Sequence, residues 1–278
     1  MTDTPLHHVE GSPRLAFEMH GSGPPLVFLH GIGGNRGSWT AQLAAFGPRF
    51  TAVAWDARGY GASDDYDGPL DFSSFGDDLA RLLDRIGAEK AHLVGLSMGA
   101  RILMDFYPRH RDRAATLTLC DCFFGFEAAL SREKQEEFIA LRQKPLLEGA
   151  TFADLAPALI RSLVSPDCGA EVREALRRSI LALRRDSYLK TIAATVHYDR
   201  SAELGSFHLP VQLIFGEADA LTPPSIGEKM RALMPDATLD VLPGAGHLSN
   251  LEQPDAFNAV LARFLARHAD AASFRAGS

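Results

Sequence analysis

The stretch Ala91-His-Leu-Val-Gly95-Leu96-Ser97-Met98-Gly99-Ala100-Arg-Ile-Leu-Met-Asp-Phe106 joins two patterns at one residue. Before Ser97 the residues form a short apolar run of the kind that makes a buried strand, and after it they read as a helix. Between them stands Gly95-x-Ser97-x-Gly99. A strand turning directly into a helix leaves no room for side chains at 95 and 99, and it holds the serine strained with its hydroxyl exposed. The helix that follows aims its first N–H groups at the same point. Ser97 is therefore the first candidate for a nucleophile.

Working outward, similar short runs recur at Pro25 to His30, Thr51 to Asp56, Ala115 to Cys120, Val211 to Phe215 and Ala237 to Leu242. Helical patterns separate most of them, the signature of βαβ units and a mostly parallel sheet of about eight strands with helices on both faces. Their continuous apolar character implies strands covered on both faces. His7 to Glu10 and Arg14 to Met19, parted by Gly11-Ser-Pro, read as an antiparallel hairpin at the sheet edge.

Between Phe123 and Phe207 the strand signals stop. Val172, Leu176, Ile180 and Leu183 make one helical stripe, and Gly149, Pro166 to Gly169 and Arg185-Asp186 divide the segment into about four helices. Residues 122–206 hold twelve basic and twelve acidic residues, so the net charge of -7 sits wholly on the rest. We expect a discontinuous core, 1–121 and 207–278, with 122–206 inserted as a helical lid. The tail from about Ala269 is expected to fray.

With 46% hydrophobic and 23% charged residues the chain is ordinary globular. Its acidic balance argues against nucleic acid as a partner. No apolar run reaches the roughly 18 to 20 residues of a membrane span, and Met1-Thr-Asp-Thr-Pro-Leu-His-His lacks a leader pattern, so no membrane association and a cytoplasmic location are expected. Three cysteines cannot complete a disulfide framework, and we expect buried, reduced thiols, with Cys120 and Cys122 facing the same way along a strand.

A serine hydroxyl needs a base, and the base needs a carboxylate to orient it. Val211-Gln-Leu-Ile-Phe-Gly-Glu-Ala-Asp219 runs a strand into a loop ending in an acid, and Pro243-Gly-Ala-Gly-His247 follows the last strand. Ser97, Asp219 and His247 each fall just past the carboxyl end of an expected parallel strand, where open α/β sheets bind ligands. Asp121 follows another strand and is an alternative acid; the context of Asp219 favours the latter. After Leu26 to Leu29 comes His30-Gly31-Ile32-Gly33-Gly34, whose backbone N–H groups suit a developing oxyanion. Ile32 and Met98 are the expected donors. The competing dinucleotide reading of Gly31-x-Gly33 with Asp56 fails at the third glycine, where Arg36 stands.

On these motifs the chain resembles the α/β-hydrolase family over about residues 25 to 121 and 207 to 265. Asp56-Ala-Arg-Gly-Tyr-Gly-Ala-Ser63 matches a loop common in that family, and Gly246-His-Leu-Ser-Asn-Leu-Glu-Gln-Pro254 with Phe257-Asn258 is most similar to the histidine loop of 3-oxoadipate enol-lactonases and related esterases. The resemblance implies an α/β-hydrolase fold with a lid after the sixth core strand. It also implies a Ser-His-Asp serine hydrolase acting on a small-molecule ester or lactone. Haloalkane dehalogenases and epoxide hydrolases of the fold carry Asp where Ser97 stands. Carbon–carbon hydrolases of ring-fission products often carry Trp where Leu248 stands, which makes them the second enzymatic reading. A non-catalytic small-molecule binder, or acyl transfer and perhydrolysis on the same residues, are further alternatives.

No metal or organic cofactor is implied, since HExxH and clustered Cys/His patterns are missing. Trp39, Phe123, Phe124, Leu221 and Leu248 stand near the expected mouth and are candidate pocket residues. Arg173, Arg177, Arg178, Arg184 and Arg185 crowd one lid helix, either as a solvated face or as a partner for a substrate carboxylate. Monomer and homodimer both remain open.

Overall fold

In the computed structural model, which describes residues 5–125, 132–196 and 198–275, every sequence-read strand is present. The stretches 126–131 and 197 of the expected insertion, 276–278 of the expected tail and 1–4 of the start lie outside the described residues. The hairpin β1 (His7–Val9) and β2 (Leu15–His20) precedes β3 (Pro25–Leu29), α1 (Thr40–Phe46), β4 (Thr51–Trp55), α2 (Phe72–Arg85), β5 (Ala88–Leu96), α3 (Met98–Arg109) and β6 (Ala114–Cys120). Then come α4 (Arg132–Leu147), α5 (Phe152–Leu163), α6 (Ala170–Leu181) and α7 (Arg185–Val196). The chain returns through β7 (Val211–Gly216), α8 (Pro224–Leu233), β8 (Ala237–Leu242), α9 (Ser249–Glu252), α10 (Pro254–Ala266) and β9 (Ser273–Phe274).

The strands form one nine-stranded sheet in the order β1-β2-β4-β3-β5-β6-β7-β8, with β9 paired to the start of β5. From β4 to β8 every pairing is parallel, and β1 and β2 add an antiparallel edge. Connections turn in opposite directions on either side of β3, so the switch point lies between β3 and β5. Leu29 is registered with Gly95 there, which brings the loop after β3 beside Ser97.

Alternation along the strands divides the core between the two faces. Val27, Leu29, Leu117 and Leu119 pack on one face with residues of α2 and α3. Leu26, Phe28, Val94 and Cys120 pack on the other with residues of α1 and α10, continuous with Leu176, Ile180, Tyr188 and Ile192 of the inserted helices. Each fully buried large side chain contributes about 1.5–3 kcal/mol, so the insertion is fastened to the core by the same force that forms it. Polar contacts add to this: Arg184 Nη2 donates to Ser63 O at 2.7 Å, and Tyr60 Oη donates to Thr191 Oγ1 at 3.1 Å.

Several expectations need correction. β8 is the edge strand, so most of it is partly exposed rather than covered on both faces, and it carries Thr238 and Asp240 among its apolar residues. The tail does not fray at Ala269, because β9 pairs antiparallel with β5. Cys120 and Cys122 are free and buried but face opposite sides of the sheet, since the chain leaves β6 at Asp121 with φ of 45°. Cys168 is only partly buried.

Candidate active site

Ser97 has φ 53° and ψ -107°, outside the range that L residues ordinarily adopt. It occupies the N-cap of α3, where a serine usually accepts from the first-turn N–H groups, yet its side chain caps nothing. The hydroxyl is left for the cavity, and so is the helix N-terminus. The flanking glycines have the reason expected of them: a Cβ on Gly95 would stand 2.4 Å from the Gly99 carbonyl carbon, and one on Gly99 would stand 2.2 Å from Leu29 O. The turn is pinned from the neighbouring strand by Ser97 N–H donating to Cys120 O at 2.9 Å.

His247 comes from the loop after β8 and is almost completely buried. Its Nδ1 lies 2.8 Å from Asp219 Oδ2. A carboxylate only accepts, so Nδ1 carries the proton and Nε2 is the basic nitrogen. The loop around Asp219 is built to hold that charge. Leu221 N–H and Thr222 N–H donate to Oδ1 at 2.8 and 2.9 Å, and Thr222 Oγ1 donates to Oδ2. Burial pushes the Asp219 carboxyl upward, but the bond and charge of His247 together with the Thr222 bonds outweigh it and hold it below its ordinary value. Sequence reasoning did not single out Thr222, although its position three residues after an acid at a loop end was a readable signal.

Asp121 takes a different place. It is fully buried, accepts from Gly216 N–H at 2.8 Å and from the Ser249 hydroxyl, and makes no hydrogen bond to His247 among the described residues. Burial, with the nearby Asp219 charge adding to it, raises its carboxyl to about 7. Of the two candidate acids, only Asp219 is bonded to the imidazole.

On the other side of Ser97, His30 organises the glycine loop. Ala57 N–H donates to its Nε2 at 3.1 Å, so Nδ1 bears the proton and donates to Gly31 O at 2.9 Å. Burial holds this imidazole below its ordinary pKa, in keeping with the neutral tautomer. Fixing the Gly31 carbonyl fixes the peptide plane that carries Ile32 N–H. Asp56 secures the end of the loop, accepting from Arg36 N–H at 2.7 Å and Ala62 N–H at 2.8 Å. Among the described residues neither Ile32 N–H nor Met98 N–H has a side-chain or loop acceptor.

Ser97, His247 and Ile32 line one cavity of about 160 Å³. It is small beside drug-sized sites, which begin at roughly 300 Å³. Among the described residues no hydrogen bond joins Ser97 to His247, a bond that in unliganded sites often tightens only with substrate present. The ceiling is supplied by the inserted helices, through Leu159 and Leu163 of α5, Ile180 of α6 and Tyr188 and Ile192 of α7. The histidine loop is tied to the same helices. His247 N–H donates to Leu163 O at 3.0 Å, and Glu252 accepts from Gly246 N–H at 3.1 Å and Ser165 N–H at 2.9 Å.

Of the candidate pocket residues, Phe123, Leu221 and Leu248 line this cavity. Trp39 does not: its ring lies 5.0 Å from Phe28 and 6.0 Å from Phe257 in the core, beside a smaller void. Phe124 packs against the core instead, and its carbonyl accepts from Arg200 N–H at 2.8 Å. None of the five arginines expected on one lid helix lines the cavity, and they do not share one helix. Arg173, Arg177 and Arg178 lie on α6, Arg184 in the following turn and Arg185 on α7. Arg173 and Arg185 are committed to backbone carbonyls, of Ser165, Pro166 and Cys168 and of Leu146 respectively. The arginines that do line it are Arg101 and Arg142, neither singled out beforehand.

Residues 26–260 match the model of the alpha/beta hydrolase family. The chain belongs to that family. Among its relatives is 3-oxoadipate enol-lactonase 2 of Acinetobacter baylyi, 28% identical over 87% of this chain and 90% of that protein. A putative carbamate hydrolase, RutD, of a Caulobacter species is 27% identical over 92% of this chain and 97% of that one. Among solved structures, a thermophilic esterase from Thermogutta terrifontis, determined with malate bound, superposes with a TM-score of 0.86. It is 29% identical, covering 95% of this chain and 99% of that one. This alpha/beta hydrolase thus has esterase, lactonase and carbamate hydrolase relatives. Among its described residues no helix is long and apolar enough to cross a membrane.

Proposed function

We propose that this alpha/beta hydrolase is a serine hydrolase that cleaves a small-molecule ester or lactone through an acyl-enzyme on Ser97. The observation that carries this reading is the strained Ser97, with its hydroxyl uncommitted, facing the same cavity as an imidazole whose far nitrogen is bonded to Asp219 at 2.8 Å. His247 Nε2 takes the hydroxyl proton as Ser97 Oγ attacks the carbonyl carbon. The negative charge on the carbonyl oxygen is met by Ile32 and Met98 N–H at the free end of α3. His247 then returns the proton to the leaving alcohol, which in a lactone stays attached to the acyl chain. A water deprotonated by the same imidazole attacks the acyl-enzyme and regenerates Ser97.

In this reading residues 122–206 are a lid over the core 1–121 and 207–278, and the partner is a small molecule in the cytoplasm. The lactonase and esterase relatives support carboxylic-ester chemistry, and the small cavity supports a short acyl group. The test is a panel of activated short esters, lactones, carbamates and ring-fission diketones, run with Ser97→Ala as the blank. Ester or lactone turnover that disappears in a folded Ser97→Ala protein is expected. Turnover retained in that variant overturns the assignment.

A further inference from the structure

Arg101 is four residues beyond Ser97 on α3, one turn along, and helical side chains lean back toward the N-terminus, which aims it under the serine. It is buried and lines the Ser97 cavity. Its guanidinium lies over two aromatic rings, with its central carbon 4.7 Å from the centre of the Phe123 ring and 5.5 Å from that of Phe72. Such rings attract the cation through their π faces and leave its N–H donors to be met by other groups. Among the described residues no carboxylate pairs with it, and Nε and Nη1 have no hydrogen-bond partner. Arg173, Arg184 and Arg185 of the insertion are, by contrast, committed to backbone carbonyls. Thr195 Oγ1, on α7 and also lining the cavity, is a second buried polar atom without a partner among the described residues.

A buried cation left unpaired is costly, and proteins ordinarily provide it with a counter-charge. Here the open side of that cation is the substrate cavity. Resting on the serine-hydrolase reading, we propose that Arg101, assisted by Thr195, is the specificity-determining residue of the cavity and selects acyl groups that end in a carboxylate a few atoms from the scissile carbonyl. Burial lowers the Arg101 pKa to about 10, which leaves the guanidinium charged at neutral pH. The lid closes over both ends of such an acyl chain, with α7 bringing Thr195 to the anion while α5 and α6 cover the ester.

The test compares two p-nitrophenyl esters, one of glutarate with its free carboxylate and one in which an isopropyl group replaces that carboxylate. Wild type is expected to prefer the acidic ester in kcat/KM by at least about tenfold. Arg101→Gln should lower that ratio by about 10- to 100-fold, the worth of a charge-assisted hydrogen bond, with partial rescue in Arg101→Lys. Thr195→Val should lower it by a smaller factor. Glutarate should also bind wild type in calorimetry and slow labelling of Ser97 by a fluorophosphonate. A wild-type ratio at or below one, with glutarate neither binding nor protecting Ser97, overturns the proposal, and these arms decide it even if Arg101→Gln does not fold. Should Ser97 resist labelling and neither ester turn over, the serine-hydrolase reading fails on its own, while glutarate calorimetry on wild type against Arg101→Gln still decides whether Arg101 holds an anion.

Discussion

Ser97 has the geometry of a residue held against its own preference, and the glycines beside it show what that requires. Gly99→Ala places a methyl 2.2 Å from a backbone oxygen that cannot move without shifting β3. Overpacking of this sort costs about 1–3 kcal/mol or more, and a melting temperature lower by about 2–10 °C is expected by calorimetry. The two buried acids next to the imidazole make opposite predictions. Asp219→Asn should reduce kcat on any ester the wild type turns over by about 10³- to 10⁴-fold, because the wrong imidazole tautomer is stabilised. Asp121→Asn removes no bond to His247, and its loss in a steady-state assay should be less than about tenfold. Equal losses in the two variants would remove Asp219 from its proposed role. The motif made Ser97 legible, and position relative to strand ends made Asp219 and His247 legible. Nothing local marked Arg101, which looks like one polar residue in an apolar helix until the fold shows its surroundings to be aromatic and, among the described residues, carboxylate-free.

At the level of elements, the histidine loop and the inserted helices are joined by hydrogen bonds. The Glu252 carboxylate accepts from one backbone N–H on each side, so it fixes the distance between Gly246 and Ser165. Glu252→Ala leaves two partly buried N–H groups unpaired, a loss of about 1–3 kcal/mol. Hydrogen exchange at Gly246 and Ser165 should accelerate by about tenfold or more, with a fall in kcat/KM as His247 gains freedom. Unchanged exchange at both amides would show that the carboxylate does not couple the two elements. The helical stripe Val172, Leu176, Ile180 and Leu183 was readable as amphipathic, and Leu176 and Ile180 are buried. Its destination was not: Ile180 and Leu183 face the Ser97 cavity, and periodicity gives a helix an inner side without saying what lies there.

For the whole molecule, the same two acids impose opposite pH dependences on stability. Asp219 is held below its ordinary value in the folded chain, so its contribution is present above the unfolded carboxyl pKa and is lost as pH falls through the folded one. Asp121 is raised to about 7, so between about pH 4 and pH 7 the folded state keeps a proton that the unfolded state gives up, and its contribution to stability declines as pH rises across that window. Asp121→Asn should flatten the decline, a difference on the order of a few kcal/mol in denaturant unfolding at pH 5 compared with pH 8. A change in stability between pH 5 and pH 8 that is the same in wild type and Asp121→Asn would show that Asp121 does not hold that proton in the folded chain.

The amino-acid sequence by itself determined the order of strands and helices, the elbow at Ser97 and the acidic and histidine loops, because each rests on local periodicity or on the steric demand of a few adjacent residues. Its charge count also sets residues 122–206, which are net neutral, apart from the acidic remainder of the chain. Only the tertiary structure decided which carboxylate meets the imidazole, because Asp121 and Asp219 both end strands and differ in what lies within hydrogen-bond reach. Only the structure moved Trp39 and Phe124 from the cavity to packing, and turned Cys122 away from Cys120 through the positive φ of Asp121. It likewise decided that the arginines lining the Ser97 cavity are Arg101 and Arg142 and none of the five expected from the sequence. Burial and unmet hydrogen bonds arise from residues distant in the chain, and no window of sequence contains them.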